Sequence, residues 1–234
     1  NLGNDANGGT DLTEVNLAAA DQAVDSPTNN FCTLNSVIKW YVAGTLSEGN
    51  CKFVGGSGWS GAKGTMAVST GKWYWEVKLS AGTLANNFAG VQEINVTSGD
   101  VDPQELTGST VFYNNDGGEI FKDGTGTTAD YGLLDSGDIL GVALDMDAGS
   151  YGQITFYDQN SAIVSDYDLS TSSDYVMPFF SNHSSTIEVN FGGCSALHFH
   201  QQQQMEMDTE ILSSRPRRDI WRYARRIWQQ MDRN

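Results

Sequence analysis

The residues from Ser136 to Asp158 constrain the fold of this chain more than any others. A polar turn, Ser136-Gly-Asp138, opens the stretch. Ile139 to Leu144 follow as a nearly unbroken apolar run, too short for a helix but long enough for a strand buried on both faces. Asp145 to Gly152 is rich in Asp and Gly and reads as a turn. Beyond it Gln153, Thr155 and Tyr157 alternate with Ile154 and Phe156, the two-residue period of a half-buried strand. The stretch predicts a β-hairpin whose first strand is central in a sandwich.

The 234 residues suit one domain of ordinary size with attachments. The 26 glycines, 4 prolines and 11% aromatic residues fit an all-β protein with many tight turns. No apolar stretch approaches the ~20 residues of a membrane helix, so no membrane insertion is expected. No signal peptide opens the chain, and a start at Asn1 reads as a processed chain or an internal fragment. A net charge of −16 argues against phosphate neutralisation, hence against a nucleic-acid partner, and reads as solubility. Cys32, Cys51 and Cys194 are odd in number and form no Cys-x-x-Cys pair, so buried free thiols are expected.

Along the chain, residues 1–25 read as a linker or the end of a preceding segment, with a short helix or Ala-rich connector from Leu12 to Val24. Strands are predicted at Phe31 to Tyr41, Thr45 to Phe53 with a turn at Ser47 to Asn50, and Thr65 to Ser69. Gly55 to Gly64 reads as a Gly/Ser loop carrying Trp59. Lys72 to Leu79 is the clearest strand: Trp73, Trp75, Val77 and Leu79 share one face, and burying the two indoles contributes on the order of 5 kcal/mol. Phe88 to Gln92 is another strand, and Asn95 to Thr107 a polar loop. Thr110 to Asn114 and Glu119 to Lys122 flank the turn Asn115-Asp-Gly-Gly118, a strong hairpin signal. Ala162 to Tyr167, Val176 to Ser181 and Thr186 to Phe191 complete the set, with Ile187, Val189 and Phe191 on one face. Short strands separated by turns every 8–12 residues, with no long helix in the body, predict an antiparallel β-sandwich.

The vocabulary breaks near residue 195. All six lysines lie between Lys39 and Lys122, all seven arginines lie between Arg215 and Arg233, and the last glycine is Gly193. Three readings compete for the tail. Ile220, Tyr223, Ile227 and Met231 have the spacing of a basic amphipathic helix. A Gln-rich linker followed by a basic segment is the second. The third is a frameshift between Phe191 and Gln201. Met205-Glu-Met-Asp208, back-translated and read two bases on, gives Gly-(Asn or Asp)-Gly-(Tyr or His), and permitted codons from Arg217 to Trp228 give Pro-Gly-Tyr-Leu-Ala-Leu-Cys-Thr-Lys-Asn-Leu.

Thr70-Gly-Lys-Trp-Tyr-Trp-Glu-Val77 resembles the GKWYWEV strand of SPRY (B30.2-like) domains. Gly137-Asp-Ile-Leu-Gly-Val-Ala-Leu-Asp-Met-Asp147 with Ile154-Thr-Phe-Tyr157 resembles that family's central hairpin. Val176-Met-Pro-Phe-Phe180 and Glu188-Val-Asn-Phe-Gly192 are similar to its closing strands. Asp25-Ser-Pro-Thr-Asn-Asn-Phe-Cys-Thr-Leu-Asn35 and Leu46-Ser-Glu-Gly-Asn50 are similar to SPRY proteins of tailed bacteriophages, whose chains end in a segment much like the shifted frame of this tail. The chain departs from the family in the longer turn at Asp147 to Gly152. The resemblance implies a SPRY-like, jelly-roll-like β-sandwich over 26–193 and favours the frameshift reading of an atypical basic tail, irregular or helical, over 194–234. It further implies a recognition module in a phage virion or tail structural protein, with a host-surface or virion protein as partner.

The chemistry-bearing motifs are sparse. Asp145-Met-Asp147 fails as a calcium loop, because Ser150 and Phe156 stand where Gly and an acid are needed, and its carboxylates read as turn residues. No Gly-x-Ser-x-Gly elbow, phosphate loop or paired strand carboxylates appear, and His183, His198 and His200 are the only histidines. Neither catalysis, a metal nor a cofactor is expected. Trp40, Tyr41, Trp59, Tyr113 and Tyr131 read either as core caps or as exposed platforms that stack on a glycan or anchor a protein. By analogy with the loops SPRY domains use, the candidate binding residues are Trp59, Asn86, Asn87, Tyr113, Asn114, Asn115, Asp116, Asp166 and Asp168. The function classes left open are a protein-binding module, a glycan-binding lectin-like sandwich on a tail fibre, and a ligand-free decoration domain.

Overall fold

A computed structural model describes residues 31–192 apart from breaks at 42–43, 83–84, 86, 96–102, 107–109, 160 and 170–174, together with 7–10, 13 and 15. The Ala-rich connector at 12–24, almost entirely, and the tail lie outside the described residues. The chain forms β1 (Leu34–Tyr41), β2 (Thr45–Ser47), β3 (Lys52–Val54), β4 (Trp59–Gly64), β5 (Lys72–Gly82), β6 (Asn87–Glu93), β7 (Thr110–Asn114), β8 (Glu119–Lys122) and β9 (Thr125–Gly126). There follow β10 (Ile139–Asp145), β11 (Gln153–Asp158), β12 (Ser161–Asp168), β13 (Val176–His183) and β14 (Ser185–Asn190), with a 3-10 turn at Pro103–Glu105 between β6 and β7.

The strands pair antiparallel into two seven-stranded sheets, ordered β1-β4-β13-β6-β7-β8-β9 and β12-β11-β10-β5-β14-β3-β2. The predicted all-β sandwich is therefore the observed fold. One core fills the space between the sheets. Trp75, Val77 and Leu79 of β5 meet Leu140, Val142 and Leu144 of β10, Phe156 of β11 and Ile187 and Val189 of β14, opposite Ala62, Val91, Val111, Tyr113 and Phe180 of the first sheet.

β10 lies between β11 and β5, and all seven of its residues are buried, as the apolar run predicts. Gly141 makes this possible: a Cβ there would meet Tyr74 Oη at 2.7 Å, so the tyrosine lies over the strand where a side chain would otherwise stand. β11 differs from the half-buried expectation, since Thr155 and Tyr157 are buried as well. Their partners in register are the small Ala143 and Gly141, which leave the outward side chains room to close over the strand.

Three further readings change. The expected Gly/Ser loop at 55–64 is mostly β4, which pairs with both β1 and β13. Its small residues carry little strand propensity, but close approach demands them: a Cβ on Gly64 would come 2.9 Å from Cys32 Sγ. Residues 65–69 form no strand, only a bridge between Val68 and Val176. Cys32 is a buried free thiol as expected, whereas Cys51 is disulfide-bonded.

Candidate functional site

Strand direction brings one set of strand ends together. In the first sheet β4 begins at Trp59 opposite His183, where β13 ends, and β6 begins at Asn87 opposite Asn182. β7 ends there at Asn114, paired with Glu119 of β8. In the second sheet Ser185 at the start of β14 faces Gly82 at the end of β5, and β10 begins where β11 ends. Buried polar groups knit the two sheets at this end. Ser185 Oγ donates to Asn87 Oδ1 at 2.8 Å, and Asn182 Nδ2 donates to the Ser185 carbonyl at 3.2 Å.

The turn Asn115–Gly118 is held by a dense set of local bonds. Asn115 N donates to the Asn87 carbonyl at 3.0 Å, and Asp116 N to Asn114 Oδ1 at 2.9 Å. The Asn115 carboxamide accepts from Leu134 N at 2.7 Å and donates to Leu134 O at 3.2 Å, pairing with that residue as a strand neighbour would. The Tyr113 hydroxyl donates to the Gly132 carbonyl. Burial first, then the nearby Asp158 and Asp130, push its pKa up, so it remains a neutral donor. Gly118, at φ +66, lies where a Cβ would come 2.5 Å from both Asp130 Oδ1 and Gly132 O. The loop 130–138 is thus clamped against the β7–β8 turn.

The predicted residues separate into three groups. Trp59, Asn87, Tyr113, Asn114, Asn115 and Asp116 come together at this end. Of these Asn87, Tyr113, Asn114 and Asn115 are buried and have the bonds of a scaffold, while Asp116 is exposed and Trp59 half-buried. Asp166 and Asp168 stand not in a loop but on the edge strand β12, and Asp168 lies at the opposite end, where Gln153 Nε2 donates to its carboxylate at 3.0 Å. Asn86 lies outside the described residues.

Trp59 stacks on Phe88 with ring centroids 4.9 Å apart, and the His183 ring stands edge-on to it at 5.7 Å. Phe88 continues into an aromatic layer with Phe112, Phe121 and Phe179 on the outer face of the first sheet. Sequence reading missed Leu133, a 58% exposed apolar side chain flanked by Asp130 and Asp135. The apolar pair Leu133-Leu134 was the available signal: in a turn-rich stretch one member is buried and its neighbour points out. Asp116, Glu119, Asp130, Asp135, Asp138 and Asp158 gather at this end, and 55–59, 115–119, 130–138, 158–159 and 183–185 hold neither lysine nor arginine. Burial, reinforced by Asp138 and Asp135, raises the pKa of Asp158.

Phe31 and Gly192, where the described sandwich begins and ends, meet at the opposite end: a Cβ on Gly192 would lie 3.9 Å from the Phe31 ring. There Asp145 pairs with Lys72 at 2.9 Å and its other oxygen accepts from Asp147 N at 3.0 Å, while Asp147 accepts from Gly71 N at 3.0 Å. The Asp145-Met-Asp147 carboxylates are therefore turn ligands for the backbone and a lysine. Among the described residues no group of three or more His, Cys, Asp or Glu is placed to hold a metal, and no helix is long and apolar enough to cross a membrane.

The SPRY domain family model matches residues 72–194. No curated protein matches the chain in sequence. Among solved structures, the SPRY domain of human HERC1 is similar with a TM-score of 0.54 at 16% identity, covering 68% of this chain and 98% of that one. A human SPRY domain gives a TM-score of 0.51 at 18% identity over 64% of this chain and 95% of that one. The TRIM65 PSpry domain gives 0.50 at 15% identity over 69% and 90%. At these identities the likeness speaks to the fold, and the family match covers β5 through β14, more than half of the chain. The chain belongs to the SPRY domain family.

Proposed function

We propose that this protein is a non-enzymatic recognition module that binds a protein partner through the end of the sandwich carrying Trp59, Asp116 and Leu133. SPRY domains are protein–protein interaction modules. One observation supports the choice of surface: Phe31 and Gly192 stand side by side at the far end, so the described sandwich is entered and left away from the Trp59 end. On that surface an exposed Leu133 and a half-buried Trp59 supply apolar anchors inside a polar rim, the arrangement of binding hot spots. Asn87, Tyr113, Asn114 and Asn115 act from beneath by fixing the loops that present them.

The resemblance of Asp25–Asn35, Leu46–Asn50 and the shifted tail frame to phage SPRY proteins supports a virion or tail component whose partner is a host-surface or virion protein. Trp59 also supports a second reading, stacking on a sugar ring, since its indole is half-buried against Phe88 at the rim of this end. Co-purification and glycan-array screens with the intact chain and with Leu133→Asp and Trp59→Ala test both. Protein capture lost in Leu133→Asp supports the proposal. Sugar binding lost only in Trp59→Ala transfers the site to a glycan, and silence in both screens leaves a decoration domain. The coding DNA and its neighbouring genes test the phage assignment independently.

A further inference from the structure

We propose that Glu76 is a proton-operated clasp on the exit of the last strand. Ionised, it holds the Asn190 side chain in the orientation that ties down Gly192; protonated, it lets that turn go. Three hydrogen bonds form the relay. The Tyr74 hydroxyl donates to Glu76 Oε1 at 3.4 Å, Asn190 Nδ2 donates to Glu76 Oε2 at 3.0 Å, and Gly192 N donates to Asn190 Oδ1 at 2.9 Å. Strand register builds it. Asn190, the last residue of β14, is the partner of Glu76 on β5, on the face of the second sheet turned away from the Trp75 and Val77 core. On its other side Glu76 faces Gly141 of β10, and Tyr74 leans over that glycine. Gly192 has φ +95, and the bond from its N–H to the asparagine oxygen closes the turn by which the chain leaves β14.

A carboxylate only accepts, and both oxygens of Glu76 are engaged by donors, so the carboxamide turns its NH2 to Glu76 and its oxygen to Gly192. A carboxylic acid carries one O–H donor. Placed on Oε2, that O–H meets the Asn190 NH2, donor against donor. The conflict ends when the carboxamide turns over and its oxygen accepts from Glu76. Its NH2 then faces the Gly192 N–H, whose bond is lost. The Oε1 position is less favourable, because its partner oxygen is 3.4 Å away and already directs its own hydrogen there. Burial and Glu76 itself push the Tyr74 pKa up, so that hydroxyl remains neutral. The charged groups on this face are Lys78, two residues along β5, and Glu188, opposite Lys78 on β14. Farther out, Lys52 of β3 stands opposite Glu188 and Lys72 is bound to Asp145, while β10 and β11 present Gly141 and Tyr157. Burial raises the Glu76 pKa against the pull of Asn190 and Tyr74, so the clasp opens in mild acid, above the ordinary glutamate range. The Glu76 contribution to stability is fully present below the unfolded pKa and is lost as pH rises through the folded one. Opening the turn is therefore a local event and not the start of acid unfolding.

The test is a titration of the full, isotope-labelled chain from neutral pH to about pH 4, read by NMR. The Asn190 side-chain NH2 and the Gly192 amide should shift together, with one midpoint above the ordinary glutamate value. Protection of Gly192 against exchange should fall about fivefold, as for one lost hydrogen bond, while Val142 to Leu144 stay protected. Glu76→Gln, which cannot change charge, should abolish the shared midpoint. Asn190→Ala should uncouple Gly192 from pH while the Glu76 carboxyl still titrates. A Gly192 amide unmoved through the titration, a midpoint at or below the ordinary glutamate value, or one that persists in Glu76→Gln would each overturn the clasp. Because the wild-type titration decides alone, the test stands even where Glu76→Gln fails to fold.

Discussion

The Asn115 side chain pairs with the backbone of Leu134 through two hydrogen bonds, of 2.7 Å from Leu134 N and 3.2 Å to Leu134 O. It thereby performs across a turn what a strand performs across a ladder, and it leaves Leu134 buried while Leu133 points into solvent. Asn115→Ala removes both bonds and strands a buried N–H and C=O. The expected loss is about 2–3 kcal/mol in urea unfolding, with faster hydrogen exchange confined to 130–138. An unchanged midpoint would mean that the loop is held elsewhere.

Gly118 faces the same loop from the other side. At φ +66, with Gly132 O 2.5 Å from any Cβ, the position excludes a side chain on both conformational and steric grounds. Gly118→Ala is expected to cost about 2 kcal/mol or more, whereas Gly137→Ala, with φ +96 but open space around its Cβ, should cost only the conformational part. Equal losses for the two variants would rule out a steric role for Gly118.

Lys63 is one source of alkaline pH dependence. It is 1% exposed, its Nζ donates to the Glu93 carbonyl at 3.1 Å, and burial lowers its pKa from 10.5 to about 8, with Glu93 acting in the opposite sense. Between these two values the unfolded chain keeps a proton that the folded one has released, so stability rises with pH, by on the order of 3 kcal/mol over the whole window. Cys32, Tyr74, Tyr113 and Tyr167 act in the opposite direction, because burial raises their pKa values. Above about pH 10 the unfolded state ionises its tyrosines while the folded state holds their protons, and stability falls. Chemical denaturation of wild type should therefore show a maximum between about pH 8 and 10, and Lys63→Met should flatten its rising side. A wild-type curve falling steadily from pH 7 would refute the assignment.

Legibility followed the apolar pattern. β5, β10 and β14 could be read because Trp75, Val142 and Val189 lie in runs or alternations that only a sandwich interior satisfies. β4 could not, since Ser60-Gly-Ala62 and Gly64 are small for reasons of cross-strand contact, and those partners lie far off in sequence. At the Trp59 end of the sandwich, the turn signal placed Asn115 to Gly118 correctly in a tight turn, but sequence misassigned depth. Asn87, Asn114 and Asn115 are polar residues in a turn-rich region, where exposure is the ordinary expectation, and only the tertiary fold provides the buried partners that draw them in. Leu133 escaped notice for the converse reason, an apolar residue left outside.

The hairpin that organises the sequence supplies the last test. β10 is an interior strand, paired on both sides and buried throughout, so Val142 to Leu144 should be among the slowest amides to exchange, opening only with global unfolding. Gly141→Val places a branched side chain where Tyr74 Oη already lies 2.7 Å from the Cβ position, in a face that Tyr157 also closes. Overpacking there is expected to cost about 1–3 kcal/mol and to speed exchange across β10, β5 and β11 together, while Gly141→Ala should cost less because the Tyr74 ring tip can shift. If Tyr74→Ala, which opens space above the strand, fails to relieve the Gly141→Val loss in a double mutant, the two residues are not coupled and the account of why β10 is buried on its outer face is wrong.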